Sequence, residues 1–229
     1  GTQYFVVLPA GAVRDVAGNN YAGTTSYDFT TAIASGTAGN DTLIGTTGTD
    51  NLNGLAGNDV IDGLGGNDTI RGGTGADRLT GGAGRDTFVF APGDSGQTSG
   101  FDVITDYTKG STSVGDLIDF SSNLTRGGNA NTATATQASI NQTTGVATFA
   151  AGSGTTLSDA LADIAARFTA ATNSAGEFAF FKVNNTGNFH MFISDGVAGV
   201  TANDVVIEMI NLTSITNINI TSGNMTILG

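Results

Sequence analysis

An aspartate recurs at every ninth residue over part of the chain, and glycines surround each one. Six contiguous nonapeptides fill residues 36–89, each with Gly at positions one and four, Asp at position six and an apolar residue at position eight. Short carboxylates beside main-chain carbonyls offer the oxygen ligands that Ca²⁺ accepts in flexible geometry. We therefore predict that several Ca²⁺ ions bind at Asp41, Asp50, Asp59, Asp68, Asp77 and Asp86.

The invariant glycines are predicted to shape the same sites. Gly tolerates φ > 0, so the main chain can turn sharply with its carbonyls aimed inward. The glycines at position one are Gly36, Gly45, Gly54, Gly63, Gly72 and Gly81. Those at position four are Gly39, Gly48, Gly57, Gly66, Gly75 and Gly84. We include all twelve in the predicted calcium sites.

The elements that must position these residues are very short strands. Only three residues of each repeat follow the aspartate, and their single apolar side chain would point into a narrow core. One nonapeptide cannot close a structure, whereas two make one turn of a coil, so repeats 18 residues apart should stack. The pattern predicts an all-β fold containing a parallel β-roll, with Asp41, Asp59 and Asp77 along one edge and Asp50, Asp68 and Asp86 along the other. A flexible Gly/Asp-rich linker is the alternative, but linkers do not keep an apolar residue at every ninth position.

The nonapeptide resembles the G-G-x-G-x-D-x-U-x pattern of repeats-in-toxin (RTX) proteins. This resemblance implies a calcium-binding β-roll in an exported bacterial protein. Position two departs from the pattern in four repeats, which leaves the ligand geometry of those turns open. The departures are Thr37, Thr46, Leu55 and Leu64.

The segment after the repeats resembles the roll-capping region of the serralysin protease family's C-terminal domain. FDVITDY at residues 101–107 and DLIDFS at residues 116–121 correspond to two strands that follow the last repeat there. By that resemblance Asp102 and Asp106 bind one more ion. The alternative interpretation is that they are ordinary aspartates at strand ends.

The remaining sequence predicts three domains: residues 1–32, 33–123 and 124–229. Residues 1–32 resemble the last strands of a bacterial immunoglobulin-like domain, and a strand pair leaning on the roll is the alternative. Residues 124–229 predict a β-rich region with one short helix at 156–171, capped by Thr156. Hairpins are expected at 139–149 and 178–194, with strands at 204–210, 215–220 and 225–228. The acid-poor end resembles the uncleaved signals of type I secretion substrates, and it is equally compatible with a terminal sheet.

Charge and the missing motifs exclude several functions. The net charge is −12, so no basic surface is available for nucleic acid. No apolar run approaches the ~20 residues of a membrane-spanning helix. His190 is the only histidine, which excludes an H-E-x-x-H zinc site. Ser95 lies in a GDSG motif, but His190 is downstream of it and this composition makes such a motif common. We therefore expect no enzymatic activity in these residues.

The sequence favours the calcium-binding C-terminal part of a secreted bacterial surface protein, such as a surface-layer protein or an adhesin. Ca²⁺ would drive folding after export by the type I secretion machinery, and the expected location is extracellular or on the cell surface. Self-assembly and cell-surface polysaccharide are the further partners that this hypothesis allows. The alternative is a non-catalytic secretion and stability module of an exported protease or lipase.

Overall fold

Successive nonapeptides contribute strands alternately to two parallel sheets. In this computed structural model β1 (Ile33–Ser35) lies directly before the first repeat, and the repeat strands are β2 (Thr42–Ile44), β3 (Asn51–Ala56), β4 (Val60–Asp62), β5 (Thr69–Thr74), β6 (Arg78–Thr80) and β7 (Thr87–Phe90). The structure describes residues 33–96, 100–111, 113–120, 125–126, 139–141, 144–149, 154–166, 168, 176–183, 187–221 and 224–228. The predicted immunoglobulin-like segment, residues 1–32, lies outside these ranges.

The strand register confirms that two repeats make one turn of the coil. Leu43 pairs with Ile61, and Ile61 with Leu79, in one sheet. Leu52 pairs with Ile70, and Ile70 with Phe88, in the other. Each pair is separated by 18 residues, so the single inward side chain of every repeat stacks on its counterpart in the next coil. These six side chains are no more than 5% exposed, and they form two columns that fill the space between the sheets.

The segment after the repeats continues both sheets. β8 (Asp102–Ile104) pairs in parallel with β6, and β9 (Leu117–Phe120) pairs in parallel with β7. Both strands fall within the stretches that the serralysin resemblance identified. Ile104 and Ile118 therefore extend the two columns of the core by one coil.

The later strands join the same two sheets. They are β10 (Thr125–Arg126), β13 (Glu177–Phe181), β14 (Phe189–Ile193), β15 (Val205–Met209), β16 (Asn217–Thr221) and β17 (Asn224–Leu228), and β11 (Ser139–Ile140) and β12 (Ala147–Thr148) form a separate small hairpin. One sheet has the order β1-β3-β5-β7-β9-β17-β16 and the other β10-β13-β14-β15-β8-β6-β4-β2. The predicted hairpins and strands are confirmed. Those from residue 178 onward contribute side chains to the core of the repeats, whereas the hairpin at 139–149 packs in a second cluster of buried residues.

The predicted helix is present but shorter than expected. α1 spans Leu157–Ala165, and Oγ1 of Thr156 accepts a hydrogen bond from the N–H of Asp159, as the capping pattern predicts. Leu161 and Ile164 bury the apolar face of the helix against the β13–β14–β15 face that points away from the main core. No helix among the described residues has both the length and the apolar character needed to cross a membrane.

Candidate calcium sites in the turns of the roll

Hydrogen bonds between stacked aspartates run along each edge of the roll. From the second coil onward, Oδ1 of each repeat Asp accepts the backbone N–H of the Asp 18 residues earlier. The N–H groups of Asp41 and Asp59 donate to Asp59 and Asp77, both at 2.8 Å. On the other edge, those of Asp50 and Asp68 donate to Asp68 and Asp86 at 2.8 and 2.9 Å. The structure thus brings the six predicted aspartates together in two rows, as the 18-residue spacing predicts.

Each row gains a further aspartate from the segment after the repeats. The N–H of Asp77 donates to Oδ1 of Asp102 at 2.8 Å, and the N–H of Asp86 donates to Oδ1 of Asp116 at 2.9 Å. We call Asp41, Asp59, Asp77 and Asp102 the first ladder, and Asp50, Asp68, Asp86 and Asp116 the second ladder. Asp116 was not predicted as a site residue from the sequence, although it is the first residue of the predicted strand at 116–121 and directly precedes the observed strand β9.

The second carboxylate oxygen, Oδ2, has no hydrogen-bond partner in most members of the ladders. The residues concerned are Asp59, Asp68, Asp77, Asp86 and Asp102. All five side chains are buried, with at most 2% of their surface exposed. A buried carboxylate oxygen without a donor is costly unless a cation serves it. These oxygens are therefore the atoms in the roll that fit a metal ion best.

Glycine at position one makes room for these oxygens. A Cβ added at any of the six would lie under 3.0 Å from Oδ2 of the Asp in the same repeat. At Gly36, Gly45, Gly54 and Gly63 it would also lie within that distance of the carbonyl oxygen of the Gly 18 residues later. In these four repeats the turn therefore sets a carboxylate oxygen close to a main-chain carbonyl of the next coil, the mixture of ligands that Ca²⁺ takes.

Glycine at position four is required by the conformation of the later turns. Gly57, Gly66, Gly75 and Gly84 have φ between 111° and 143°, which favours glycine. A Cβ at each would lie under 3.0 Å from the main chain of the Gly in the preceding coil. Gly39 and Gly48, in the first coil, have no such φ. The invariance of position four thus reflects close stacking of turns as well as backbone conformation.

Position two divides the repeats into two groups. Leu55 and Leu64 adopt the left-handed φ values of 79° and 67°, like Gly73 and Gly82 at the same position in the last two repeats. Thr37 and Thr46 do not. Their N–H and hydroxyl groups instead donate to Oδ2 of Asp41 and Asp50. The four departures from the family pattern therefore have two different structural outcomes.

An asparagine row outside the ladders adds bonds between coils. Oδ1 of Asn40 accepts the N–H of Asn58, and Oδ1 of Asn58 accepts the N–H of Ala76, at 2.8 and 3.0 Å. Asn67 makes the same bond to Arg85 on the other edge. The signal for this row in the sequence is the Asn at position five of three repeats.

Burial makes ionisation of the ladder carboxylates unfavourable. It raises the pKa of Asp68, Asp77 and Asp116 to about 6 and that of Asp102 to about 9, and neighbouring carboxylates raise these pKa values further. The pKa values of Asp59 and Asp86 are raised for the same main reason. Asp41 is the exception, because the N–H and hydroxyl of Thr37 lower its pKa. A nearby cation would remove the electrostatic penalty from the buried members.

Asp106 lies apart from the ladders. Its two oxygens accept the N–H groups of Gly81 and Gly82, at 3.0 and 2.8 Å, so the side chain supports the turn of the sixth repeat. Its role as a calcium ligand stays a prediction.

The two residues considered for catalysis have other contacts. Oγ of Ser95 donates to the carbonyl of Val206 and accepts the N–H of Asp102, which ties the start of β8 to β15. His190 is buried in β14, stacked on Phe181 and edge-on to Phe101. Both residues therefore take part in packing between elements.

The ladders fit calcium through mixed ligands rather than through a carboxylate cage. Within the ranges that the structure describes, no three acidic or histidine side chains converge on one point. Two stacked carboxylates and the carbonyls of the flanking turns are the oxygens available at each level. Such a set is acceptable to Ca²⁺, and it contains no nitrogen or sulfur atom of the kind zinc prefers.

Comparison with known proteins agrees with this assignment for the repeat region. The family model of the RTX calcium-binding nonapeptide repeat matches residues 35–70 and 62–95. A search of the curated proteins finds no match. Among solved structures, the AlgE6R3 subunit of the Azotobacter vinelandii mannuronan C5-epimerase is 20% identical, and the match covers 81% of this chain and 88% of that one at a TM-score of 0.44. The fold assignment itself rests on the strand pairing described above.

Proposed function

We propose that this RTX calcium-binding repeat module folds in response to extracellular Ca²⁺, with ions held between stacked turns of the two ladders. The observation that carries the proposal is the set of five buried Oδ2 atoms without a donor. The ligands would be those oxygens and the carbonyls of the turn glycines. Asp102 belongs to the proposed set as the last member of the first ladder, and Asp106 would add a ligand beside it.

Folding would depend on Ca²⁺ because the roll buries little apolar surface and brings many carboxylates together. Each coil buries only two apolar side chains, and its glycines lose much conformational entropy on ordering. Without metal, ionised ladder carboxylates also face each other in a poorly solvated row. Bound calcium supplies the positive charge that offsets this repulsion. Extracellular modules bind Ca²⁺ with Kd of ~10⁻⁴–10⁻³ M, so the roll would be unfolded in calcium-poor cytosol and folded outside.

Circular dichroism of the full chain tests this proposal. Strand content should be low in metal-free buffer, rise with added Ca²⁺ and respond poorly to Mg²⁺, which demands a small rigid octahedron. Asp59→Asn should need more Ca²⁺ for the same strand signal, because it removes a ladder charge. Asp163→Asn, a matched change in α1, should not. Equal strand content with and without Ca²⁺ would contradict the proposal.

The wider role that we propose is the C-terminal part of a secreted bacterial surface protein, such as a surface-layer protein or an adhesin, with no catalysis in these residues. Three observations support it: the match to the RTX repeat family, the small share of charged residues, at 12%, and the richness in Thr, Asn and Gly. Type I secretion machinery would export the chain, and self-assembly or cell-surface polysaccharide would retain it. A secretion module of a protease or lipase is the second candidate, favoured by the serralysin-like segment at 101–121.

Two experiments address this wider role. Co-expression with a type I exporter should release the full chain, whereas a chain ending before residue 205 should stay inside the cell. Sequence upstream of Gly1 separates the two candidates. Tandem immunoglobulin-like repeats would support the surface protein, and an H-E-x-x-H or G-x-S-x-G motif would support the hydrolase module.

A further inference from the structure

The first coil of the roll is built differently from the later coils. In the third to sixth repeats Oδ2 of the aspartate has no donor, and all four aspartates are buried. In the first two repeats the same atom receives two donors from position two. Oγ1 of Thr37 lies 2.8 Å from Oδ2 of Asp41, and Oγ1 of Thr46 lies 3.0 Å from Oδ2 of Asp50. The backbone N–H of each threonine donates to the same Oδ2 atom as its hydroxyl.

The far end of the second ladder is closed in a similar way. Oδ2 of Asp116 accepts the N–H of Thr108 at 2.7 Å, while Oδ1 takes its usual place in the ladder. Asp116 therefore differs from Asp102, the last member of the first ladder, whose Oδ2 has no donor. In three of the eight ladder carboxylates, those of Asp41, Asp50 and Asp116, Oδ2 thus accepts hydrogen bonds from the chain itself.

We infer that Thr37, Thr46 and Thr108 close the ends of the ladders in place of calcium, so that the carboxylates which require an ion begin at Asp59 and Asp68. This inference rests on the calcium function proposed above and narrows it. It assigns Asp41, Asp50 and Asp116 a structural role and leaves the five donor-free aspartates as the ligands that ion binding depends on.

The backbone conformation of position two differs between the first coil and the later coils. Thr37 and Thr46 keep φ out of the left-handed region, and their N–H groups point at the carboxylate. Leu55 and Leu64, one coil later, adopt left-handed φ values, and the N–H of Leu64 donates to Asp62 instead. The later turns thus leave Oδ2 without a donor, whereas each turn of the first two repeats satisfies Oδ2 of its own carboxylate.

Ion counting in the full chain separates capped from uncapped carboxylates. Equilibrium dialysis with atomic absorption would give the number of Ca²⁺ ions per chain for Asp50→Asn and for Asp68→Asn, two neighbours in the second ladder. We expect Asp50→Asn to keep the wild-type number and Asp68→Asn to lose at least one ion. The pair Asp41→Asn and Asp59→Asn repeats the comparison in the first ladder. Loss of an ion from Asp50→Asn or Asp41→Asn would overturn the inference.

A threonine series keeps the test decisive if Asp68→Asn fails to fold. Thr46→Val removes the hydroxyl and keeps the N–H, and Thr46→Ser restores a hydroxyl. We expect all three proteins to bind the same number of ions, with a lower thermal midpoint for Thr46→Val that Thr46→Ser recovers. An ion lost from Thr46→Val and regained in Thr46→Ser would make the hydroxyl a calcium ligand and overturn the inference. A wild-type chain that binds no Ca²⁺ would instead defeat the proposed function itself.

Discussion

At the scale of single residues, position two shows how one side chain sets the conformation of a turn. Gly73 and Gly82 reach the left-handed region without cost, whereas Leu55 and Leu64 occupy it with a Cβ that crowds the following carbonyl. Both leucine side chains are nearly half exposed, at 46% and 45%, so their packing contributes little to stability. Stacking between coils holds these residues in a conformation that their own chemistry disfavours.

Replacing Leu55 with Gly should therefore stabilise the protein. A left-handed L-residue costs ~1–2 kcal/mol, and the greater freedom of Gly in the unfolded chain offsets part of the gain, so we expect a net increase of about 1 kcal/mol. Urea unfolding in saturating Ca²⁺ measures the change. Leu55→Ala is the control, because it removes the same side chain but keeps the strained Cβ, and it should give no gain. Equal gains from both changes would attribute the effect to the exposed side chain.

The pKa shifts predict that acid partly replaces calcium. In the metal-free folded chain, burial raises the pKa of Asp68 and Asp77 to about 6, above the unfolded value of 3.8. Their favourable contribution to folding is therefore fully present below 3.8 and is lost as the pH rises through about 6. Strand content of dialysed, metal-free protein should fall between about pH 4 and about pH 7. Asp77→Asn should flatten that curve, and strand content that rises with pH would contradict the prediction.

At the scale of elements, each repeat strand contributes one inward side chain, and stability depends on the columns that these side chains form. Ile61 and Ile70 have neighbours in the coils above and below, and neither is exposed. Close packing on both sides leaves little room for a truncated site to relax.

Ile61→Ala should lower the free energy of unfolding by roughly 2–5 kcal/mol in saturating Ca²⁺. Val60→Ala is a matched control in the same strand, since Val60 points outward and is 45% exposed. It should change the unfolding free energy by less than about 0.5 kcal/mol. Similar losses from the two variants in urea unfolding would show that the column is not a packed core.

Sequence periodicity was sufficient to predict the coil, its 18-residue register and the inward side chains, because each depends on contacts between equivalent positions of stacked repeats. It was not sufficient for the placement of the later strands. β15 enters the sheet beside β8, and β17 enters the other sheet beside β9. That choice of partner depends on shape and burial across about a hundred residues, and no local pattern encodes it.

The dependence on a fixed period also explains which ladder aspartates were predicted from the sequence. The repeat aspartates follow a fixed period, and Asp102 was identified by resemblance. Asp116 is 30 residues beyond Asp86, and Asp102 is 25 beyond Asp77, because loops interrupt the 18-residue spacing. Strand pairing restores the register after each loop, so Asp116 reaches its place through β9 rather than through the period. A search of strand starts, rather than of spacing, would have found it.

At the scale of the molecule, the repeats and the later strands share two sheets and one main core. β15 pairs in parallel with β8, which begins at the ladder residue Asp102. Binding of a ligand only to the folded state stabilises every element that folds with it, by about 2.7 kcal/mol per site at a hundredfold excess over Kd. Calcium should therefore act well beyond the turns that bind it.

Hydrogen exchange followed by mass spectrometry tests this coupling. Peptides from β13, β14 and β15 should become more protected when Ca²⁺ is added, although no ligand is proposed there, because β15 depends on β8. Peptides from β2 and β4 serve as the internal reference for the roll. Protection that rises in the roll and stays constant in β13–β15 would mean that the two parts fold separately.

The hydrogen bonds of the two ladders all run in one direction along the chain. This direction determines at which end the array of repeats can change in length. The N–H of each of the six repeat aspartates donates to a carboxylate from the following coil, never to one from the preceding coil. Deleting the leading coil would leave every remaining ladder N–H with its acceptor. Deleting the trailing aspartates Asp102 and Asp116 would strand the buried N–H groups of Asp77 and Asp86, at a cost of ~1–3 kcal/mol each. The ladder hydrogen bonds thus tolerate gain or loss of whole coils at the N-terminal end of the array over evolution. At its C-terminal end they require Asp102 and Asp116.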